Sequence, residues 1–289
     1  MEWSFTDEQN ELRRTVKRFV DEELRPAADD IDKKHEIPPR LISMMGELGL
    51  MGVAIPEEYE GAGMGETGYV IAIEEISRAC ASTATFMGAH QSIGAMAILK
   101  FGSEEQKRKY LPAMARGESI GAYALTEPES GSDAMNMKTT AVRRGDTYVI
   151  NGTKIWITNG GLADVISMFC HVRGEDESDS GPAAFIVEKE FPGFRVGKVE
   201  EKMGIRGSNT VELVFEDMEV PEENLVGKIG DGAHYAFGVL DVGRLGLAAA
   251  TLGSAKDAID RCVQYAGQRE AFGRKIQEFQ AVQFMLAEM

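Results

Sequence analysis

Hydroxyl side chains, glycines and a tryptophan are concentrated in two short segments near the middle of this 289-residue chain. The first runs from Tyr123 to Asp133 and has the sequence YALTEPESGSD. Pro128 keeps the residue before it extended, and Gly131 permits close backbone approach, so hydroxyl and N–H groups are left free for a ligand. The segment could hold the polar edge of a cofactor, and it could equally be an ordinary turn between strands.

The second segment, residues 154–160, has the sequence KIWITNG. Residues two apart on a strand share a face, so Trp156 and Thr158 are predicted to project together. The indole offers a flat apolar wall and the threonine a hydroxyl, and a planar heterocycle would fit against the two. A core tryptophan beside a surface threonine is the alternative interpretation.

The composition narrows the classes of function. With 31 basic and 47 acidic residues the net charge is -16, so non-specific binding to nucleic acid is not expected. No run approaches the ~18 apolar residues of a membrane span, and no secretory signal is visible, which predicts a cytoplasmic protein. The cysteines form no CxxC pair and the histidines no close pair, so no metal is expected. Hydrolase and nicotinamide-binding functions are not predicted either.

The first 120 residues have the pattern of helices in series. Thr6 with Gln9 and Ser103 with Gln106 each fit a capping box. The first helix is amphipathic, and Pro26 is expected to end it. Further helices are predicted near 39–48, 68–80, 83–101 and after residue 103, with a glycine-rich loop over 61–68. We expect an all-helical N-terminal domain over residues 1–120.

Beyond residue 120 the pattern changes to short strands separated by turn residues. Alternation is present over 141–144, 147–150 and 154–158, with turn signals at Gly145, Asn151 and Asn159. Later strands are predicted near 165–172, 183–188, 194–199 and 211–215, and the acidic segment 174–181 is predicted to be a hairpin tip. We expect a middle antiparallel β domain over residues 121–229.

Helical periodicity returns after Asp231, which predicts a C-terminal helical domain over residues 230–289. The sequence stops at Met289 inside an amphipathic pattern with no stop signal. We therefore expect this domain to be incomplete, either because the chain is truncated or because other chains complete it. The predicted fold class is α+β.

Several segments together resemble the acyl-CoA dehydrogenase family, flavoproteins that introduce a trans α,β double bond into acyl-CoA thioesters. They are FTDEQ at 5–9, GLMG at 49–52 with IPEEYEG at 55–61, FGSEEQK at 101–107, LTEPESGSD at 125–133, WITNG at 156–160 and REAFG at 269–273. The resemblance covers the whole chain, and the two central motifs are its most specific part. It implies FAD as the cofactor and an acyl-CoA as the substrate.

The resemblance implies a role for each flavin-side residue. Tyr123, Leu125 and Thr126 would line the flavin ring, with backbone N–H groups and the Thr126 hydroxyl directed at the pyrimidine edge. Trp156 would flank the isoalloxazine ring. Thr158 would donate its hydroxyl to flavin N5, which accepts the hydride.

Contacts to the rest of the cofactor are implied in the same way. Ser132 would touch the flavin pyrophosphate and also the pantetheine arm of the substrate. Arg269, Phe272 and Gln280 would contact FAD bound in a neighbouring subunit. The resemblance therefore implies a homo-oligomer, a dimer or a tetramer, although Arg269 alone would be interpreted as a solvated helix charge.

Asp241 and Arg244 lie three residues apart and share a helix face, so taken alone they predict an i, i+3 ion pair. By the resemblance they would contact CoA. The implied reaction needs a carboxylate that removes the α proton. In most of the family this glutamate lies beyond the equivalent of Met289. In a minority it directly precedes the equivalent of Arg244, where this chain has Gly243. The resemblance therefore implies a catalytic base beyond Met289, and no residue of this chain is assigned that role.

The leading hypothesis is a β-oxidation enzyme that passes electrons to electron-transfer flavoprotein. Two alternatives stay open. An acyl-CoA oxidase would reoxidise its flavin with oxygen and release hydrogen peroxide. A non-catalytic subunit that binds acyl-CoA or flavin would account for a chain without a base.

Overall fold

The computed structural model describes residues 4–174 and 180–289, and it contains a helical part, a β-sheet and a second helical part. The N-terminal helices are α1 (Asp7–Phe19), α2 (Arg25–Lys34), α3 (Pro39–Glu47), α4 (Gly65–Ser77), α5 (Ala81–Gly88), α6 (Met96–Phe101) and α7 (Glu104–Ala115). The main strands are β1 (Gly121–Ala124), β2 (Thr140–Arg144), β3 (Thr147–Thr158), β4 (Val165–Arg173), β5 (Gly181–Glu188), β6 (Phe194–Val199), β7 (Thr210–Pro221) and β8 (Leu225–Val226). The C-terminal part contains α8 (Gly232–Gln268), β9 (Glu270–Ala271), β10 (Arg274–Lys275) and α9 (Gln280–Glu288). The predicted α+β fold class is confirmed.

Both capping boxes are present, but the expected break at Pro26 is wrong. A π-helical segment, Val20–Leu24, joins α1 directly to α2, and Pro26 lies in the first turn of α2. Helices change hydrogen-bonding register where π and α geometry meet, and such a place accommodates a residue that has no N–H. A second π-helical segment, Ala89–Ala95, lies between α5 and α6.

The sheet has the strand order β6-β7-β3-β2-β4-β5-β8 and is antiparallel except where β4 pairs in parallel with β1 and β2. β1 pairs with the first half of β4, from Val165 to Met168. β2 begins its pairing further along the same strand, at His171. Since β1 and β2 follow one another along a single edge of β4, the connection over residues 125–139 leaves the sheet between them.

Strand β3 is continuous where the sequence predicted a turn at Asn151. The Asn151 side chain exchanges two hydrogen bonds with Asp217 of β7, donating from Nδ2 to Oδ1 at 3.0 Å and accepting from the backbone N–H at 2.8 Å. The pairing register with β7 shifts between Ile150 and Gly152. The Asn-Gly pair therefore forms a β-bulge, not a hairpin turn. The hairpin predicted for 174–181 lies largely outside the described residues.

Two apolar cores organise the molecule. One joins the N-terminal helices, one side of the sheet and the first half of α8, and the other lies within the β domain.

Within the described residues, helix α8 is long and apolar enough to cross a membrane by length and composition alone. In its most apolar segment, 33% of the helix is buried against the rest of the chain. Its buried side packs mainly on α4, with further contacts to the π-helical segment Ala89–Ala95 and to α5.

Candidate active site

A cavity of about 380 Å³ opens where β1 and the end of β3 meet the helices. We name it the sheet-edge cavity. Its lining consists of Ile93, Tyr123, Leu125, Thr126, Gly131, Ser132, Ala134, Trp156, Ile157, Thr158, Phe237 and Leu240. Both motifs that the sequence singled out, 123–133 and 154–160, thus contribute to one cavity.

The loop after β1 is held by hydrogen bonds that use its carbonyls. The Leu125 carbonyl accepts from Lys154 Nζ at 2.9 Å, and the Thr126 carbonyl accepts from the N–H of Ile155 at 2.9 Å. Glu127 and Ser130 exchange backbone hydrogen bonds of 2.9 and 3.2 Å. Among the described residues, neither the N–H nor the hydroxyl of Thr126 has a hydrogen-bond partner. The loop therefore offers free donors to whatever occupies the cavity.

Trp156 and Thr158 line this cavity together, as predicted, on a strand that is bulged. The register between β3 and β7 shifts between Lys154 and Ile157, and Trp156 has a positive φ of 59°. The indole is 62% exposed and lies at the cavity wall, whereas Ile157 between the two is buried in the β core. The wall and hydroxyl expected for a planar ligand are both in place.

A second cavity of about 420 Å³ lies between the helices, and we name it the helix cavity. Its lining consists of Tyr69, Ile73, Ala84, Thr85, Gly88, Ala89, Ser92, Ile93, Thr158, Leu240, Gly243, Arg244, Gly246, Leu247 and Ala250. Three residues, Ile93, Thr158 and Leu240, line both cavities. A ligand in one cavity would therefore meet a ligand in the other beside the Thr158 hydroxyl.

The shared wall includes a π-helical segment. Ile93 and Ser92 belong to Ala89–Ala95, where the helix widens, and Ser92 Oγ donates to the Gly88 carbonyl at 2.7 Å. His90 anchors the same segment, because its Nδ1 accepts from the N–H of Gly121 at 2.9 Å and its Nε2 lies 3.1 Å from the Met114 carbonyl. Burial lowers the pKa of His90 to about 4, so the ring is neutral at pH 7.

The described lining of both cavities contains no carboxylate. Gly243 faces the helix cavity, where a Cβ would lie 3.1 Å from Ile93 Cγ2. Arg244 also lines this cavity, and its guanidinium donates to Asp241 at 2.6 Å with both side chains exposed. The i, i+3 ion pair is therefore formed, and the role of the two residues toward CoA stays a prediction.

The remaining predicted cofactor residues lie away from both cavities. Arg269, Phe272 and Gln280 are exposed on and around the β9–β10 hairpin. Phe272 is 97% exposed and has a positive φ of 53°. This surface faces outward from the chain, as a contribution to a neighbouring subunit requires, and that contribution stays a prediction.

Sequence reasoning missed a buried ion pair beside the loop. Lys154 Nζ lies 2.7 Å from Glu127 Oε1, and both side chains are almost fully buried. Glu127 also accepts from the N–H groups of Lys138 and Thr139. Burial raises the pKa of Glu127, but the lysine charge and these hydrogen bonds outweigh it and lower the pKa, so the carboxyl is ionised. Burial lowers the pKa of Lys154, and Glu127 opposes this.

Two glycine patterns match motifs of other enzyme classes but lie in the wrong structural context. GESIG at 117–121 has the spacing of a hydrolase nucleophile elbow, which requires a strand that turns into a helix. Here the segment leads from α7 into β1. GMGETG at 63–68 has dinucleotide-motif spacing, which requires a preceding strand, yet a short 3-10 helix and a loop precede it. Within the described part of the chain, no group of three His, Cys, Asp or Glu could hold a metal ion.

Comparisons with known proteins identify the family of the chain. The N-terminal domain of acyl-CoA dehydrogenases matches residues 6–118, the middle domain residues 122–218 and the C-terminal domain residues 230–289. An acyl-CoA dehydrogenase of Bacillus subtilis is 50% identical over 98% of this chain and 75% of its own length. A short-chain specific acyl-CoA dehydrogenase of Clostridium acetobutylicum is 46% identical over all of this chain and 76% of its own length.

Solved structures show the same relationship. One, described as an electron transferring flavoprotein of Acidaminococcus fermentans, has a chain that matches with a TM-score of 0.95 at 46% identity and covers 100% of this chain and 76% of its own. An acyl-CoA dehydrogenase complexed with FAD from Bacillus anthracis matches at 0.93 and 42% identity over 99% of this chain and 48% of its own. The chain belongs to the acyl-CoA dehydrogenase family. It is an oxidoreductase of that family.

Proposed function

We propose that this chain binds FAD in the sheet-edge cavity and an acyl-CoA thioester in the helix cavity, and that it catalyses α,β-desaturation of the acyl group. The observation that carries the proposal is the junction of the two cavities at Thr158, Ile93 and Leu240. Hydride transfer requires donor and acceptor atoms in near contact. Two ligands that meet at this junction satisfy that requirement.

The donor set of the sheet-edge cavity fits a flavin. The free N–H and hydroxyl of Thr126 suit the polar pyrimidine edge, and the exposed indole of Trp156 suits a flat ring. An added Cβ at Gly131 would meet no atom within 4 Å, so the backbone there is open to close approach. Bound FAD would supply the hydride acceptor, and the relative from Bacillus anthracis was solved with FAD.

The helix cavity fits a short acyl chain. The Tyr69 ring fills the space between α4, α5 and α8, and Cβ atoms added at Gly88 and Gly246 would lie 3.3 and 2.1 Å from its hydroxyl. Ile73, which is on the same helix as Tyr69, also lines the cavity. The relative from Clostridium acetobutylicum is named short-chain specific. We therefore propose a short saturated acyl-CoA as the substrate.

The residues of this chain bind, orient and exclude water. Thr158 places a hydroxyl donor at the junction, while Ile93 and Leu240 keep the reacting atoms in an apolar environment that strengthens electrostatic contacts. The described lining supplies no carboxylate for the α proton, so the general base stays unassigned. Arg244, at the rim of the helix cavity, is placed to bind polar groups of CoA.

The proposal also includes electron-transfer flavoprotein as the acceptor, supported by the solved chain from Acidaminococcus fermentans. A homo-oligomer is supported by the outward-facing Phe272 and Arg269. The cytoplasmic location stays a prediction from the sequence.

The test is anaerobic addition of butyryl-CoA and longer saturated acyl-CoAs to the FAD-loaded, full-length protein. We expect loss of flavin absorbance with butyryl-CoA and little with long chains. Binding of acyl-CoA without any loss of absorbance would instead show a non-catalytic binding subunit. Hydrogen peroxide release in air at the turnover rate, without a protein acceptor, would show an oxidase.

A further inference from the structure

The buried Lys154–Glu127 pair has an unusual neighbour, the peptide unit that links Leu125 to Thr126. Lys154 Nζ donates to the carbonyl of this unit at 2.9 Å and to Glu127 Oε1 at 2.7 Å. The carbonyl and N–H of a trans peptide point in opposite directions. The Thr126 N–H therefore points away from the lysine, and among the described residues it has no partner.

The position of this peptide is fixed from several sides. Glu127 accepts hydrogen bonds from the backbone of residues 138 and 139, just before β2 begins, and Lys154 belongs to β3. The Thr126 carbonyl is bonded to Ile155 of β3. The ion pair thus clamps both ends of the 125–139 connection to the sheet, and it leaves the Thr126 N–H as one of the free donors at the cavity.

We propose that Lys154 and Glu127 are positioning residues that orient and polarise the Leu125–Thr126 peptide toward the flavin. This inference rests on the proposed FAD site. A cation bonded to the carbonyl of a peptide strengthens the N–H of the same unit as a donor, because hydrogen bonds in a chain polarise one another in a low-dielectric interior. Neither side chain touches the cofactor.

The chemical consequence concerns the flavin potential. Reduced flavin carries more negative charge on its pyrimidine edge than oxidised flavin, so a stronger N–H donor there stabilises the reduced form more. Charge and hydrogen bonding near the ring are the means by which proteins tune such cofactors. Lys154 thus raises the two-electron potential of FAD, and Glu127, whose Oε1 lies 2.7 Å from Lys154 Nζ, favours the charged lysine against the effect of burial.

The experiment compares FAD-loaded wild type with Lys154→Met and with the double variant Lys154→Met/Glu127→Gln. The double variant avoids an unpaired buried carboxylate, which alone would destabilise the fold. Met218→Ala is the control, because Met218 is buried in the β core, pairs with Ile150 and lines neither cavity. The midpoint potential is measured by dye equilibration, and the dissociation constant of oxidised FAD by fluorescence.

In both lysine variants we expect the affinity for reduced FAD, relative to that for oxidised FAD, to fall about tenfold. For a two-electron couple this lowers the midpoint potential by about 30 mV. Met218→Ala should unfold at a lower temperature and keep the wild-type potential. FAD lost from both lysine variants and kept by Met218→Ala also supports positioning. Unchanged potentials in the lysine variants, or equal FAD loss from Met218→Ala, overturn the inference. Reduction of the wild-type flavin by acyl-CoA tests the proposed function separately from this inference. A wild-type protein that binds no FAD would overturn both the proposed function and the inference.

Discussion

Trp156 and Lys154 lie two residues apart on β3, yet the indole is exposed at the sheet-edge cavity and the lysine is fully buried beside Glu127. Simple alternation would place the two side chains on the same face. The register shift between Lys154 and Ile157, with positive φ at Trp156, separates them. One β-bulge thus produces both the flat wall of the cavity and the buried cation behind its loop.

The Thr158 hydroxyl is expected to matter for hydride transfer. Thr158→Val keeps the shape of the side chain and removes the donor at the junction of the cavities. A hydrogen bond to a group that gains charge contributes about 1.5–3 kcal/mol, so flavin reduction by acyl-CoA should slow by about 10- to 100-fold. Anaerobic stopped-flow absorbance measures this rate. Thr153→Val, on the same strand but outside both cavities, should keep the wild-type rate of flavin reduction. A wild-type rate in Thr158→Val would show that the Thr158 hydroxyl has no role in hydride transfer.

The depth of the helix cavity is expected to set the preferred acyl length. Ile73→Ala deepens the cavity beside Tyr69, so the preferred substrate should lengthen by about two carbons, with a stability loss of about 2–5 kcal/mol. Ile76→Ala is the matched control, since Ile76 is equally buried on α4 but does not line the cavity. The measurement is kcat/KM across a series of acyl-CoAs. An identical chain-length profile in the two variants would contradict the proposed acyl site.

Stability is expected to fall with acid partly through His90. Its folded pKa of about 4 is depressed from 6.5, so between these pH values the unfolded chain binds a proton that the native protein does not. The free energy of unfolding should therefore drop by about 3 kcal/mol as pH falls from 6.5 to 4, and the contribution is absent above pH 6.5. Denaturant titrations across this range measure it.

His90→Gln should be less stable at pH 7 by about 1–3 kcal/mol, because Gly121 N–H loses its acceptor, and its acid dependence should be shallower. His171→Gln, a half-buried histidine of β4, is the control and should keep the wild-type slope. The same slope in His90→Gln would show that other groups govern this pH range.

The outward-facing C-terminal residues are expected to bind FAD across a subunit interface. Arg269→Ala and Phe272→Ala should weaken FAD retention by about tenfold or more, since an exposed aromatic and a guanidinium are typical anchors at interfaces. Gel filtration with detection of flavin absorbance measures retention and oligomeric state together. Arg261→Ala removes an exposed cation already paired with Asp257 and should have little effect. Unaltered FAD retention in both interface variants would argue against a shared site.

The two sequence motifs identify residues that the structure brings to one cavity, and the roles of these residues toward FAD stay predictions. Thr126, Trp156 and Thr158 were identified by their motifs, and all three line the sheet-edge cavity. The capping boxes were predictable because their hydrogen bonds are local. The continuous passage through Pro26 is not predictable in this way, because the spacing of residues does not reveal where a π-helical segment changes the hydrogen-bonding register.

The Lys154–Glu127 pair was invisible for a different reason. The partners are 27 residues apart, and charged residues within an alternating strand are ordinarily solvent-exposed. The bulge on β3 and the hydrogen bond from the Ile155 N–H to the Thr126 carbonyl place the two side chains next to each other. Both features depend on non-local contacts that periodicity does not report.

The most direct test of the account is a structure of the protein with FAD and a non-oxidisable short acyl-CoA analogue. The measured quantity is the distance from Thr158 Oγ1 to flavin N5. We predict a hydrogen-bond distance of about 3 Å, with the ring against Trp156 and the acyl chain between α4 and α8. A flavin ring outside the sheet-edge cavity, or an acyl chain that does not reach Thr158, would contradict it.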